Sequence, residues 1–275
     1  MIARNGLKCP PAIITAVLLL TAPLIVMSQA VTSKVVMSQP AAAAELKVVS
    51  GGAFKQVLNA LAAQYQKDSG DRLDITYKTV GQHLDLIRGG REDFDVAILT
   101  PAAIEELAKG GNIAPGTNAD LAKTGVGVVV KTGTPLPDIS TVEAFKRTLL
   151  DAKSVAFIDP KAGGSSGIYV ESLLRRLGIA DQVNAKAVLV HGGAVADHVV
   201  DGEAAIGVHQ ISEILAVAGA TLVGPLPAEI QNYTVYAAGV RTATKHGAAA
   251  RALVKFLSGP QALPIIKAKG MQPAS

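Results

Sequence analysis

Short apolar runs alternate with amphipathic segments along nearly the whole chain, and this alternation limits what it can fold into. Runs at 46–49, 73–77 and 94–99 have the length and composition of buried strands. Between them apolar residues recur every three or four positions, as in Phe54, Val57, Leu58, Leu61 and Tyr65, and the spacing predicts a helix that stops near Gly70. Pro101 sits where a helix over 102–109 would begin, a position proline tolerates. The same order returns as helix 142–150, strand 154–158, helix 166–177, strand 187–190, helix 194–200 and strand 205–208, with a further helix at 212–217. Strand and helix in strict alternation imply a largely parallel sheet covered by helices, so the class is α/β. Two runs, 125–131 and 233–240, are strand-like but break the alternation. They read as crossover segments, which divides the chain into lobe I (45–125), lobe II (126–232) and a return to lobe I (233–275, with a helix at 248–258). Two doubly wound lobes joined by two crossover segments leave a cleft between them, a favoured place for a ligand.

Residues 1–44 read as a secretory signal peptide and leader. Arg4 and Lys8 precede an apolar stretch over 12–26 that is too short and too proline-interrupted for a membrane span. Cleavage is expected at the small residues 42–44 rather than at 28–30, placing the mature protein in the periplasm from Glu45 onward. Cys9 is the only cysteine and precedes the apolar stretch, so no lipid anchor, cysteine nucleophile or thiolate metal site is implied. The leader carries three basic residues and no acidic ones, so its removal lowers the formal charge from +4 to +1. With that charge and no tryptophan, a nucleic-acid partner is not expected.

The chemistry concentrates where strands hand over to helices. In the junction at 159–169, Ser165, Ser166 and Gly167 open a helix whose first N–H groups lack intrahelical partners, and such an end holds an oxyanion. Three more junctions have the same character: Ser50, Gly51, Gly52 and Ala53 after the first strand; Thr79, Gly81 and Gln82 after the second; and Gly192 after strand 187–190. In open α/β sheets ligands bind beyond the carboxyl ends of the strands, so these loops would converge on one small anion. His209 and Gln210 close strand 205–208 at the same edge, and Gln210 could donate an amide N–H. No nucleotide-binding glycine pattern is present and no cofactor is expected. A serine hydrolase built on Ser166, with His191, His198 or His209 and Asp159 or Asp197, remains an alternative, although no nucleophile-elbow motif supports it. His191 and His198 do not share a helix face, so a metal site is not expected.

Taken together, the run 47–53, the strand 94–98, the junction 159–169, the segment 207–213 and the start of 233–240 fall in the order seen in periplasmic molybdate-binding proteins, which the chain resembles over essentially all of its mature length. The resemblance implies a type II periplasmic-binding-protein fold, a small bound oxyanion and an inner-membrane ABC permease as partner, and the chain is expected to be a monomer without enzymatic activity. It places the ligand contacts on Ala53, on Gly81 or Gln82, on Ser166, on Gly192 and on Gln210. Two serines and a tyrosine of the family pattern are missing at those positions. The ligand therefore stands open between a molybdate-like oxyanion and a small carboxylate, and a ligand-sensing domain of the same fold is a further alternative.

Overall fold

The computed structural model describes residues 43–274, and the leader expected over 1–44 lies outside the described residues except for its last two positions. Those two bring a correction. Ala44 is buried, its N–H donates to Asp71 Oδ1 at 2.9 Å, and its carbonyl accepts from the Arg72 N–H at 2.7 Å. The fold thus begins before Glu45, because the backbone pairing of the first strand already engages Ala44.

In chain order the elements are β1 (Glu45–Gly51), α1 (Lys55–Ser69), β2 (Arg72–Lys78), α2 (Val80–Arg88), β3 (Val96–Leu99), α3 (Pro101–Lys109), β4 (Ala119–Lys131), α4 (Val142–Asp151), β5 (Val155–Ile158), α5 (Ser165–Arg176), α6 (Ala180–Asn184), β6 (Ala187–Val190), α7 (Val195–Val200), β7 (Ile206–Gln210), α8 (Ile211–Ile214), β8 (Ala220–Pro225), β9 (Tyr233–Val240), α9 (Gly247–Leu257), α10 (Leu263–Ala268) and β10 (Gln272–Pro273). Local chemistry sets several boundaries. Gly70 ends α1 in the left-handed region at φ 80°, which a glycine adopts without strain. Thr79 and Gln82 cap α2 reciprocally, and Thr141 accepts from the Ala144 N–H to start α4.

The strand order is β2-β1-β3-β9-β4-β7-β5-β6, with β8 and β10 also pairing β4. Two parallel triplets, β2-β1-β3 and β7-β5-β6, flank the antiparallel strands β9 and β4. β4 changes partner along its length: Ala119 to Gly125 pair with β9, and from Val126 onward it pairs with β7 and β8. At that break the Gln231 side chain substitutes for a strand, accepting from the Val126 N–H and donating to the Val126 carbonyl, both at 2.9 Å.

Each sheet is buried on both faces, as the alternation requires. Val48 packs toward α1 and α9, whereas its neighbour Val49 packs toward α2 and α3. Likewise Val155 and Phe157 face α4 and α5, while Ala156 and Ile158 face α7. Fully burying side chains such as Phe54, Phe145 and Phe157 contributes about 1.5–3 kcal/mol each.

Several elements escaped the sequence reading. β8, α6, α10 and β10 are short, and β4 starts at Ala119 rather than 125. Asp120, Lys123 and Thr124 make that first stretch look like a loop, and it is strand because β9 and β10 supply its hydrogen-bond partners.

Candidate functional site

The carboxyl ends of β1, β2, β5 and β7 converge on a cavity of about 550 Å³ walled by both parallel triplets. This is the consequence of parallel strands: all their C-terminal ends, and the helix N-termini that follow, face one side. The side chains and backbone reaching the wall include Gly51, Gly52 and Lys55 from the β1–α1 junction, Lys78 and Thr79 from β2, Ser165 and Ser166 from α5, and His209 and Gln210 from β7. Tyr236 of β9, Glu213 of α8 and Asp197 of α7 complete it.

Donors dominate the lower wall. Ser165 and Ser166 open α5, and Gly164 before them makes no side-chain cap, so the first N–H groups of a 12-residue helix stay available to an anion. Gln210 donates from Nε2 to Ser165 Oγ at 3.0 Å and to Thr234 Oγ1 at 3.1 Å, while Tyr236 donates its hydroxyl to Gln210 Oε1 at 3.3 Å. Burial, reinforced by the neighbouring Glu213 carboxyl, holds the Tyr236 phenol well above its ordinary range, so it stays a donor at neutral pH. Gly51 is required here: a Cβ on it would lie 2.6 Å from Tyr236 Cε1.

Two lysines supply positive charge, with different freedom. Lys78 is held by Glu92 at 3.0 Å, whereas Lys55 enters no salt bridge among the described residues and its Nζ sits 5.5 Å from the Tyr77 ring centroid.

Two titratable groups of another kind share the wall. His209 Nε2 and Glu213 Oε2 are 3.3 Å apart, and His209 Nδ1 is buried without a hydrogen-bond partner. Burial pushes Glu213 up to about 8 and His209 down to about 3, so at neutral pH this contact joins a protonated carboxyl to a neutral imidazole.

Of the thirteen residues expected as ligand contacts, Gly51, Gly52, Thr79, Ser165, Ser166, His209 and Gln210 line the cavity. Six lie behind it. Ser50 is fully buried with its hydroxyl on the Gly51 carbonyl, and Ala53 is buried with its carbonyl taken by the Ser212 hydroxyl at 2.9 Å. Gly167 packs on β5, where a Cβ would stand 2.2 Å from the Ile158 carbonyl oxygen. Gly192 is exposed, and the wall there is made by Gly193 and Ala194 instead.

Gly81 and Gln82 are engaged at the rim, where the two halves touch. The Gly81 N–H donates to the Gly163 carbonyl at 3.0 Å, Gln82 Nε2 reaches the His191 carbonyl at 3.4 Å, and the Thr79 hydroxyl donates to the Ala162 carbonyl. Thr79 is further occupied by capping α2, accepting from the Gln82 N–H at 3.2 Å.

Of the serine hydrolase arrangement the structure brings together the His191–Asp159 pair at 3.2 Å, but no hydrogen bond joins Ser166 to a histidine among the described residues, and His198 lies against Glu203 at 2.7 Å and His209 against Glu213. The sequence reading missed Lys55, Lys78, Glu213 and Tyr236. Tyr236 was legible as a β-face partner of Thr234, two residues away on the same side of β9, but nothing local placed that face on the cavity.

Residues 46–272 match the family model described as bacterial extracellular solute-binding protein. Among curated relatives, an aconitate isomerase of a Pseudomonas species is 32% identical over 233 residues, covering 83% of this chain and 87% of that protein. The molybdate-binding protein of Azotobacter vinelandii is 27% identical over 241 residues, covering 84% and 90% respectively. The solved structure of the Azotobacter vinelandii periplasmic molybdate-binding protein superposes with a TM-score of 0.73 at 24% identity, covering 84% of this chain and all of that one. The sulfate-binding protein of Mycobacterium tuberculosis superposes with a TM-score of 0.69 at 17% identity over 84% and 88%. The architecture is therefore that of the type II periplasmic binding proteins, and the resemblance to molybdate-binding proteins holds for sequence and fold alike. With its family model spanning nearly the whole described chain, the protein belongs to the bacterial extracellular solute-binding proteins.

Proposed function

We propose that this is a periplasmic, monomeric binding protein that captures a small organic anion carrying two or more carboxylates and delivers it to an inner-membrane ABC permease. The cavity carries this reading. Its volume of about 550 Å³ lies in the range of small organic ligand sites, about 300–1,000 Å³, and is far larger than one tetrahedral oxyanion fills. Both the N-terminus of α5 and the Lys55 ammonium line it. A ligand with separated carboxylates can engage both. The relative named for acting on aconitate, a tricarboxylate, supports the same ligand class.

Titration calorimetry of the purified protein against citrate, cis- and trans-aconitate, tricarballylate, succinate, molybdate and sulfate tests the reading. Heat with a polycarboxylate and none with the two inorganic ions is the expected outcome. Tight binding of molybdate with no response to any carboxylate would overturn it.

A second reading, an isomerase acting on such a carboxylate, is favoured by two findings: Glu213 and His209 meet at 3.3 Å in the wall, where burial raises the carboxyl and lowers the imidazole, and the relative at 32% identity is named as an aconitate isomerase. Incubating the protein with cis-aconitate and following the vinyl protons by NMR decides whether turnover occurs.

A further inference from the structure

An anion site calls for donors and positive charge, and the Glu213–His209 contact supplies neither in the ordinary way. An ionised carboxylate in that wall would repel the ligand. The chain nevertheless makes room for it: Gly52 bears no side chain, and a Cβ there would lie 2.6 Å from Glu213 Oε1. The β7–α8 junction sets the pair on one side, because His209 and Glu213 are four residues apart and meet at 3.3 Å. His209 Nδ1 lies buried with no partner, so the imidazole is spent on Glu213 alone. The other titratable groups that line the cavity are Lys55 of α1, Tyr236 of β9, Tyr77 and Lys78 of β2, and Asp197 of α7, with Lys55 and Tyr236 acting on Glu213 directly.

We propose that Glu213 is the catalytic proton carrier for migration of a carbon–carbon double bond in a bound unsaturated polycarboxylate, with His209 as its positioning residue; this rests on the carboxylate reading of the cavity. In its ionised form Glu213 takes a proton from the saturated carbon that lies between a carboxylate and the double bond. The C–H electron pair becomes the new double bond, and the pair of the old one moves to its far carbon. The negative charge that develops spreads into a ligand carboxylate, facing Lys55. Glu213 then returns the proton to the far carbon, the carboxylate is regenerated, and no oxidant or co-reactant is consumed. A carboxyl lifted to about 8 by burial is a far stronger base than an ordinary one, and it is matched to the operating pH. His209, held neutral, fixes the second carboxyl oxygen without neutralising the base.

The test follows wild type, Glu213→Gln and His209→Gln with cis-aconitate in D2O by proton NMR, with calorimetry of the same ligand alongside. Wild type is expected to interconvert the cis and trans isomers, with a rate that rises with pH to a plateau above about 8. Glu213→Gln keeps ligand binding and loses about 10²–10⁴-fold in rate, the usual scale of general base catalysis. His209→Gln slows turnover and moves the midpoint of the pH profile, and a merely structural residue would not shift that midpoint. Wild-type turnover by Glu213→Gln, or a wild-type rate flat from pH 6 to 9, overturns the assignment. The pH profile needs no variant, so it decides the matter even where a substitution fails to fold. Binding by wild type with neither isomerisation nor deuterium uptake overturns the proton-transfer role and leaves the carboxylate reading standing. Absence of binding to either isomer, with turnover also absent, sinks both.

Discussion

Gly81→Ala separates ligand capture from fold stability, because the substituted atom meets backbone of the opposite half. A Cβ on Gly81 would lie 2.7 Å from Gly163 Cα, whereas ordinary contact begins at 3.4 Å, so the rim must part by about 0.7 Å. No rotamer change relieves this, since both partners are main chain. The Gly81 N–H to Gly163 carbonyl bond, now 3.0 Å, would be stretched out of range, and the adjacent Thr79 to Ala162 bond with it. Two hydrogen bonds at about 0.5–1.5 kcal/mol each amount to about 1–3 kcal/mol. Where this contact belongs to the ligand-bound state, affinity falls by roughly 5- to 150-fold. The fold itself gains: Gly81 lies in α2, and replacing a helical glycine by alanine favours the helix by up to about 1 kcal/mol. Gly163→Ala, whose Cβ would lie 2.6 Å from Gly81 Cα, should weaken binding similarly. It should also destabilise the protein, because Gly163 sits at φ 71°, a conformation alanine adopts only under strain. Calorimetry with the best polycarboxylate and thermal unfolding without ligand read the two effects separately. Unchanged affinity in Gly81→Ala, within a factor of two, would refute the idea that this rim contact supports ligand binding.

Three further outcomes follow from the same geometry. Lys55→Met removes the lysine of the wall that has no salt bridge, and it should lower carboxylate affinity by roughly 10-fold or more, read by calorimetry, on the scale of a charge-assisted hydrogen bond. Gln231→Ala leaves the buried Val126 N–H unpaired, while the Val126 carbonyl keeps the Leu226 N–H, and should cost about 1–3 kcal/mol, seen as a lower urea midpoint at unchanged slope. Stability should also depend on pH in a predictable sense. Glu213 lies at about 8 when folded against an ordinary 4.5, so its contribution is full below 4.5 and is lost as pH rises through 8. His209 lies at about 3 against an ordinary 6.5, so its contribution is lost as pH falls from 6.5 through 3. The two oppose each other between 4.5 and 6.5, leaving Glu213 alone above that range. Stability should then drop by up to about 2 kcal/mol between pH 6.5 and 8 in wild type, and Glu213→Gln should remove the drop; an identical decline in the variant would discount this carboxyl.

Much of the architecture could be read locally. The alternation at 46–109 and 142–208 specified strands and helices, because a strand buried on both faces must be a short apolar run and a helix against it must carry an apolar stripe. Gly70 marked the end of one helix and Pro101 the start of another. The first part of β4 was not legible, since Asp120, Lys123 and Thr124 become strand only when β9 and β10 lie alongside. Nor was the start of the fold at Ala44, which depends on the distant Asp71.

The site divides along the same line. Ser165, Ser166 and Gln210 were readable because helix starts and strand ends carry their unpaired groups with them, wherever the chain goes. Gly51 and Gly52 looked like ligand-cradling backbone, and the structure shows what their missing side chains make room for: Tyr236 and Glu213, 185 and 161 positions away. Thr79 and Gln82 looked like free ligand donors and are largely taken by each other and by the facing rim. The sequence by itself therefore determined the class of fold and the edge on which an anion could sit, since both follow from periodicity and from the geometry of helix and strand ends. Only the tertiary structure decided the size of the cavity, which donors remain unspent and what desolvates the Glu213 carboxyl, because hydrogen-bond partners, desolvation and close approach are set largely by residues that are neighbours in space and distant in sequence.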